Sequence, residues 1–134
     1  MSQISDQLIK HEGLRLFVYY DSLGIPTIGV GRNLKDRGIS KNEAMMMLDN
    51  DIDDFTLQLS ERLYWFDMQP DNAKLVLIDM AFNMGIGGLL TFHKTLEYFK
   101  NNDYKNAAIE MKNSHWYNEV PNRADDLINI LNSI

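Results

Sequence analysis

The chain has 134 residues, 45% hydrophobic and 24% charged, which suits one soluble globular domain and leaves no Pro/Gly/Ser-rich linker. It has no cysteine, so disulfides, thiol nucleophiles and cysteine-based metal sites are excluded, and packing alone must hold the fold. Thirteen Lys and Arg against nineteen Asp and Glu leave a formal net charge of −6, the wrong sign for a phosphate backbone, so no nucleic-acid partner is expected.

The N-terminal stretch from Met1 to Gly13 is polar and lacks the basic-then-apolar order of a signal peptide. No uninterrupted apolar run reaches the roughly 18 residues of a membrane span, so stable membrane insertion is not expected. Ile4 and Leu8 mark the apolar stripe of a short helix over 2–12, with Ser2 or Ser5 as its cap and Gly13 at its end. That places Glu12 at a helix C-terminus. From Leu14 to Tyr20 aromatic and β-branched residues accumulate, Asp21-Ser22-Leu23-Gly24 reads as a turn, and Thr27 to Val30 resumes strand character. A third short strand is predicted near Asn33 to Arg37.

Ser40 with Glu43 three residues on is a capping box. The long helix it starts carries Met45, Leu48, Ile52, Phe55 and Leu59 at spacings of three and four, and is predicted to run to about Arg62. Pro70 opens a helix through Phe82 that Gly85 is placed to end. Asp103 caps another through Met111, and Pro121 begins a last one through Leu131. Tyr64, Trp65, Phe66, Phe92, Phe99, Tyr104, Trp116 and Tyr117 are expected to fill the spaces between helices.

Sheet content is thus confined to residues 14–37, and the fold class is α+β. The expected organisation is a single domain with a β lobe at about 13–38, a linking helix at about 40–62, and a helical lobe at about 63–134 that the helix over 2–12 joins. A cleft between the lobes is the natural ligand site.

Several patterns carry no chemistry. Asp49, Asp51 and Asp53 imitate the start of a calcium loop, but Asp54 and Ser60 stand where that loop needs glycine and glutamate, so they read as the solvated face of the long helix. His11, His93 and His115 lack metal-ligand spacing, and no metal site is expected. Gly29 and Gly31 lack the third glycine of a dinucleotide loop and mark a tight β turn.

The chemistry lies in the first 31 residues, in His11-Glu12-Gly13-Leu14-Arg15-Leu16, Tyr20-Asp21-Ser22-Leu23-Gly24 and Pro26-Thr27-Ile28-Gly29-Val30-Gly31. One carboxylate closes a helix, a second sits at a hairpin turn, and a hydroxyl lies on the returning strand. Cleaving a glycosidic bond needs a proton donor for the leaving oxygen and a second carboxylate to activate water. By spacing alone, a Glu, an Asp and a Thr would be surface groups and a strand residue.

The flanking residues change that reading. The segment resembles glycoside hydrolase family 24, the phage-type lysozymes, whose signature is Glu-Gly, an Asp in a turn, then Thr-Ile-Gly-x-Gly. Met80-Ala81-Phe82-Asn83-Met84-Gly85 is similar to the family's central buried helix, and Ser114 through Ala124 to its late Trp-Tyr-Asn…Pro-Asn-Arg-Ala segment. The three blocks occur in the family's order and span nearly the whole chain.

The resemblance implies an endo-acting muramidase that hydrolyses the β-1,4 bond between N-acetylmuramic acid and N-acetylglucosamine with inversion, leading to cell-wall lysis, without a cofactor. It assigns Glu12 as general acid, Asp21 as second carboxylate and Thr27 as the group holding the attacking water. It matches Arg123 to an arginine that pairs with the catalytic glutamate, and Asn33 and Phe82 to positions lining the sugar groove. Thr95 and Glu110 stand where relatives bear other groove residues. Glu12 is expected to be less accessible and Asp21 nearer to solvent.

Peptidoglycan glycan strands would be the partner of a monomeric enzyme. Having no signal peptide, it would be made in the host cytoplasm and reach the wall after holin-type release, or alternatively act from a virion tail. A binding module without turnover and a lytic transglycosylase remain open alternatives. One departure stands out: where the family often has histidine, this chain has Arg32, so a histidine-dependent ion pair there is absent or replaced. The stretch from Leu34 to Ile39 is also short.

Overall fold

The structure is a computed structural model that describes residues 2–134. It divides into two compact units, the first ending at Met47 and the second being Leu48–Ile134. The division falls inside a long helix.

The first unit begins with helix α1 (Gln3–Glu12). Ser2 caps it, its Oγ accepting the amide of Ser5 at 3.1 Å. Gly13 ends it at φ +81°, donating its amide to the carbonyl of Ile9. Strands β1 (Arg15–Tyr20), β2 (Pro26–Gly29) and β3 (Arg32–Asn33) form an antiparallel sheet in that order. The all-antiparallel sheet, confined to the N-terminal part of a mostly helical chain, makes the fold α+β.

β1 and β2 are out of step in the middle. Arg15 pairs with Gly29 and Tyr19 with Thr27, so Leu16, Phe17 and Val18 stand opposite Ile28 alone. The bulge breaks the alternation that would have buried one face, and all three side chains are exposed. Among the described residues of this unit only Thr27 is buried. Its local geometry therefore rests on polar contacts more than on a core.

β3 is shorter than the strand expected to reach Arg37. The Asn33 side chain ends it: its Oδ1 accepts the amides of Lys35 and Asp36, and its Nδ2 donates to Asp36 Oδ2. Such a side chain offers the backbone a turn in place of a ladder. Helix α2 (Lys41–Arg62) follows. The capping box is formed in both directions, Ser40 Oγ accepting the Glu43 amide and Glu43 Oε1 accepting the Ser40 amide. Asp49, Asp51, Asp53 and Asp54 are exposed along α2.

The second unit holds the rest of α2, a 3-10 turn at Phe66–Met68, and helices α3 (Asp71–Leu90), α4 (His93–Lys100), α5 (Tyr104–Lys112), α6 (His115–Glu119) and α7 (Pro121–Asn132). Its core includes Leu59, Phe66, Val76, Leu77, Met80 and Leu89, with Phe99, Met111, Leu127 and Leu131 from the later helices. α5 packs on α4 and α7, and α3 packs on α7. Tyr64, expected between helices, is exposed and lies under Lys100, 5.6 Å from its ring centroid.

The first helical segment of α3 ends at Gly85, as expected, and a second short one follows it directly. Gly85 alone is non-helical, at φ +81° and ψ 159°, and the helix resumes from Ile86 to Leu90. α3 is also long and apolar enough to cross a membrane by length and composition. Counting uninterrupted apolar residues misses this because Asp71, Lys74, Asp79 and Asn83 break the run. Seven of its residues, Val76 and Met80 among them, are buried in the protein core.

Candidate active site

Glu12 is the last residue of α1, and its carboxyl folds over the turn after β2. A Cβ placed on Gly31 would lie 2.6 Å from Glu12 Oε2 and 3.0 Å from its Cδ. Only glycine leaves that space, and Gly31 also has φ +65°, where other residues are strained. The second glycine of Thr-Ile-Gly-x-Gly is thus a seat for the carboxyl of Glu12. Sequence reasoning took it only as a turn residue.

Asp21 ends β1 and organises the hairpin turn. Its Oδ1 accepts the amide of Leu23 at 2.8 Å and that of Ile25 at 3.0 Å, while its own amide bonds to the Ile25 carbonyl. These bonds hold one carboxyl oxygen and leave Oδ2 without an intramolecular partner among the described residues. The accessibility order is the reverse of that expected: Glu12 is exposed and Asp21 is half-buried. Two backbone amides draw Asp21 into its turn, whereas the Glu12 side chain leaves a helix end.

Thr27 lies on β2, 4% exposed. Its hydroxyl donates to the Ile25 carbonyl at 2.8 Å. With its proton so used, Oγ1 has only lone pairs to offer and acts as an acceptor. Thr27 pairs with Asn33 across β2 and β3. Glu12, Asp21, Thr27 and Asn33 therefore all belong to the first unit, and the Asn33 side chain is engaged by its own turn.

Arg32, which stands where the family often has histidine, forms an ion pair of its own. Arg32 Nη1 and Nη2 bind the two oxygens of Glu43 at 2.9 and 2.8 Å, and Nη1 also reaches the Gly38 carbonyl at 3.1 Å. The two-pronged bond from Arg32, helped by the Ser40 amide and hydroxyl, holds the Glu43 carboxyl at a pKa of about 2. Glu43 does two jobs, capping α2 and tying β3 to it. The capping box was legible in the sequence, but the second partner was not.

The remaining predicted residues are in the second unit, in two hollows that share no lining residue. One, of about 440 Å³, has Ile52, Leu75, Ile78 and Phe82 on its apolar wall and Arg123 with Asp79 at its charged edge. Phe82 packs on Phe55 with ring centroids 5.6 Å apart. Arg123 is half-buried, and its Nε donates to Asp79 Oδ1 at 2.6 Å. Asp79 was not singled out from sequence, although it is the one charged residue between Lys74 and His93.

Thr95 and Glu110 line the other hollow, of about 630 Å³, together with Phe92, Lys94, Trp116 and Glu119. Thr95 is buried and Glu110 half-buried. Trp116 belongs to the core and its Nε1 donates to Asn83 Oδ1 at 2.8 Å. Two of the three blocks that carry the resemblance, Met80–Gly85 and Ser114–Ala124, thus meet through a hydrogen bond.

The chain is 30% identical, over an alignment of 160 residues, to "Probable T4-type lysozyme 1" of Dictyostelium discoideum, with 98% of this chain and 94% of that protein covered. It is 29% identical to "Probable T4-type lysozyme 2" of the same organism, with 97% and 94% covered. It is 25% identical to "Pre-baseplate central spike protein Gp5" of Enterobacteria phage T4, where 96% of this chain matches 27% of the longer protein. Residues 9–129 match the family described as phage lysozyme, so the chain belongs to that family and is a glycosidase of the lysozyme type.

Proposed function

We propose that the enzyme is an endo-acting muramidase, cutting the β-1,4 bond between N-acetylmuramic acid and N-acetylglucosamine in peptidoglycan with inversion, and so lysing the wall. Glu12 is the general acid, giving its proton to the leaving glycosidic oxygen. Asp21 is the base, its unengaged Oδ2 taking a proton from water. Thr27 Oγ1 accepts a hydrogen bond from the water's other O–H, which stays on the new hydroxyl, and this aims the water's lone pair at the anomeric carbon on the face opposite the leaving group. Fixing the water in this way removes part of the entropic barrier. Arg123 supports the acid, and Phe82, Asn33, Thr95 and Glu110 contact the glycan or its attached groups.

The observation that carries this reading is the Glu12 carboxyl seated beside Gly31, in space that a Cβ on residue 31 would fill. The protein acts as a monomer on glycan strands and reaches the wall by holin-type release. A tail-borne enzyme is the second reading, favoured by the likeness to a phage spike protein. The test is Glu12→Gln, which keeps the size of the side chain and removes its acid. Turbidity clearing of bacterial cells is expected to stop while the thermal midpoint stays unchanged. Clearing at the wild-type rate would remove Glu12 from the acid's role.

A further inference from the structure

Asp79 is the only ionisable residue in the apolar stretch from Leu75 to Phe92, flanked by Ile78 and the buried Met80. Its side chain, 36% exposed, is nevertheless engaged. What engages it is Arg123, carried by the first turn of α7, which packs on α3. The contact is double: Asp79 Oδ1 accepts from Nε at 2.6 Å, and the Asp79 carbonyl accepts from Nη2 at 3.4 Å.

Two attachments to one residue fix both the position and the plane of a guanidinium. They also occupy a particular edge of it. A guanidinium can meet a carboxylate along its Nε/Nη2 side or along its Nη1/Nη2 end. Asp79 takes the side, and the end has no partner among the described residues. Asp71 and Lys74 are the other charged groups lining the same hollow, and neither bonds to Arg123.

We propose that Asp79 is a positioning residue for Arg123, locking its side edge so that its end edge is held ready for a carboxylate of the reacting system. This rests on the supporting role given to Arg123 above. A flexible arginine would have to freeze two or three torsions on meeting that carboxylate, whereas one already clamped does not, so the gain falls on turnover rather than on ground-state binding. A lysine at 123 could not replace it, since it lacks the two edges.

The test pairs spectroscopy with kinetics on solubilised glycan strands, using Asp79→Ala, Asp79→Asn, Arg123→Lys and Arg123→Ala. In wild type the Arg123 Nε–Hε resonance, assigned by its loss in Arg123→Lys, is expected to be shifted downfield and slow to exchange. Asp79→Ala should abolish that signature and lower kcat about 10-fold or more with KM changed less than about 2-fold. Asp79→Asn keeps an acceptor of the same shape, should recover part of both, and serves if the alanine variant does not fold. A resonance that is unshifted in wild type, or unchanged in both Asp79 variants, would overturn the clamp, as would unchanged kcat in folded Asp79→Ala. Full turnover by Arg123→Ala would instead overturn the role of Arg123 itself, whatever the resonance shows.

Discussion

The carboxyl of Glu12 fills the space beside Gly31 that a Cβ on residue 31 would need, 2.6 Å from Glu12 Oε2. Gly31→Ala is therefore expected to do two things. It adds backbone strain of about 1 kcal/mol at φ +65°, and it displaces the Glu12 carboxyl by a large fraction of an ångström. Misplacing a reacting group on that scale lowers turnover about 10- to 100-fold. Gly38→Ala is the control, since Gly38 has φ +62° and nothing within 4 Å of an added Cβ. Equal loss of cell-clearing activity in both variants would mean that strain alone is responsible.

The Arg32–Glu43 pair makes stability depend on acid. The Glu43 carboxyl sits at about 2 in the folded chain against an ordinary 4.5, principally through its bond from Arg32. A depressed carboxylate stabilises the fold above the unfolded value and loses that contribution as pH falls through the folded one. Glu43→Gln should thus lower the thermal midpoint at pH 7, and the gap from wild type should close between pH 4.5 and about 2. The Glu43 side chain is 44% exposed, so added salt should also narrow the gap at pH 7. A gap that is constant across this range would show that Glu43 acts through helix capping alone.

In the second unit a buried polar chain replaces part of the core. Gln69 Nε2 donates to the Phe99 carbonyl at 2.9 Å, and the Tyr104 hydroxyl reaches Gln69 Oε1 at 2.8 Å. Tyr104→Phe removes the hydroxyl and leaves the Gln69 oxygen buried without that donor, at a cost of about 1–3 kcal/mol. The expected outcome is a thermal midpoint lower by several degrees with catalytic activity at 25 °C unchanged. A midpoint unchanged from wild type would show that Gln69 finds another partner.

How much of this was legible in the sequence follows from which forces hold each part. Helix starts obey local rules, so the Ser40–Glu43 box, the Asp103 cap and Pro121 all marked real ones. The short helices α4 and α6 were not foreseen, since five to eight residues carry too little periodicity to stand out. In the sheet, alternation predicted strands but not the bulge at Leu16–Val18, which depends on pairing across the hairpin. Asn33 and Asp21 were singled out for chemistry, and both also hold turns, a role that composition cannot separate from the first. Gly31 and Asp79 escaped notice as site residues because their meaning lies in what stands beside them, Glu12 and Arg123.

The proposed inverting hydrolysis is tested most directly by the products of wild-type digestion of purified peptidoglycan, with mass and anomeric configuration followed from the first seconds. A water-activating Asp21 predicts a hydrated reducing end on N-acetylmuramic acid that appears first as the α-anomer, inverted from the β-linkage. A product lighter by one water, carrying an internal anhydro bridge, or a first product of β configuration would contradict the account.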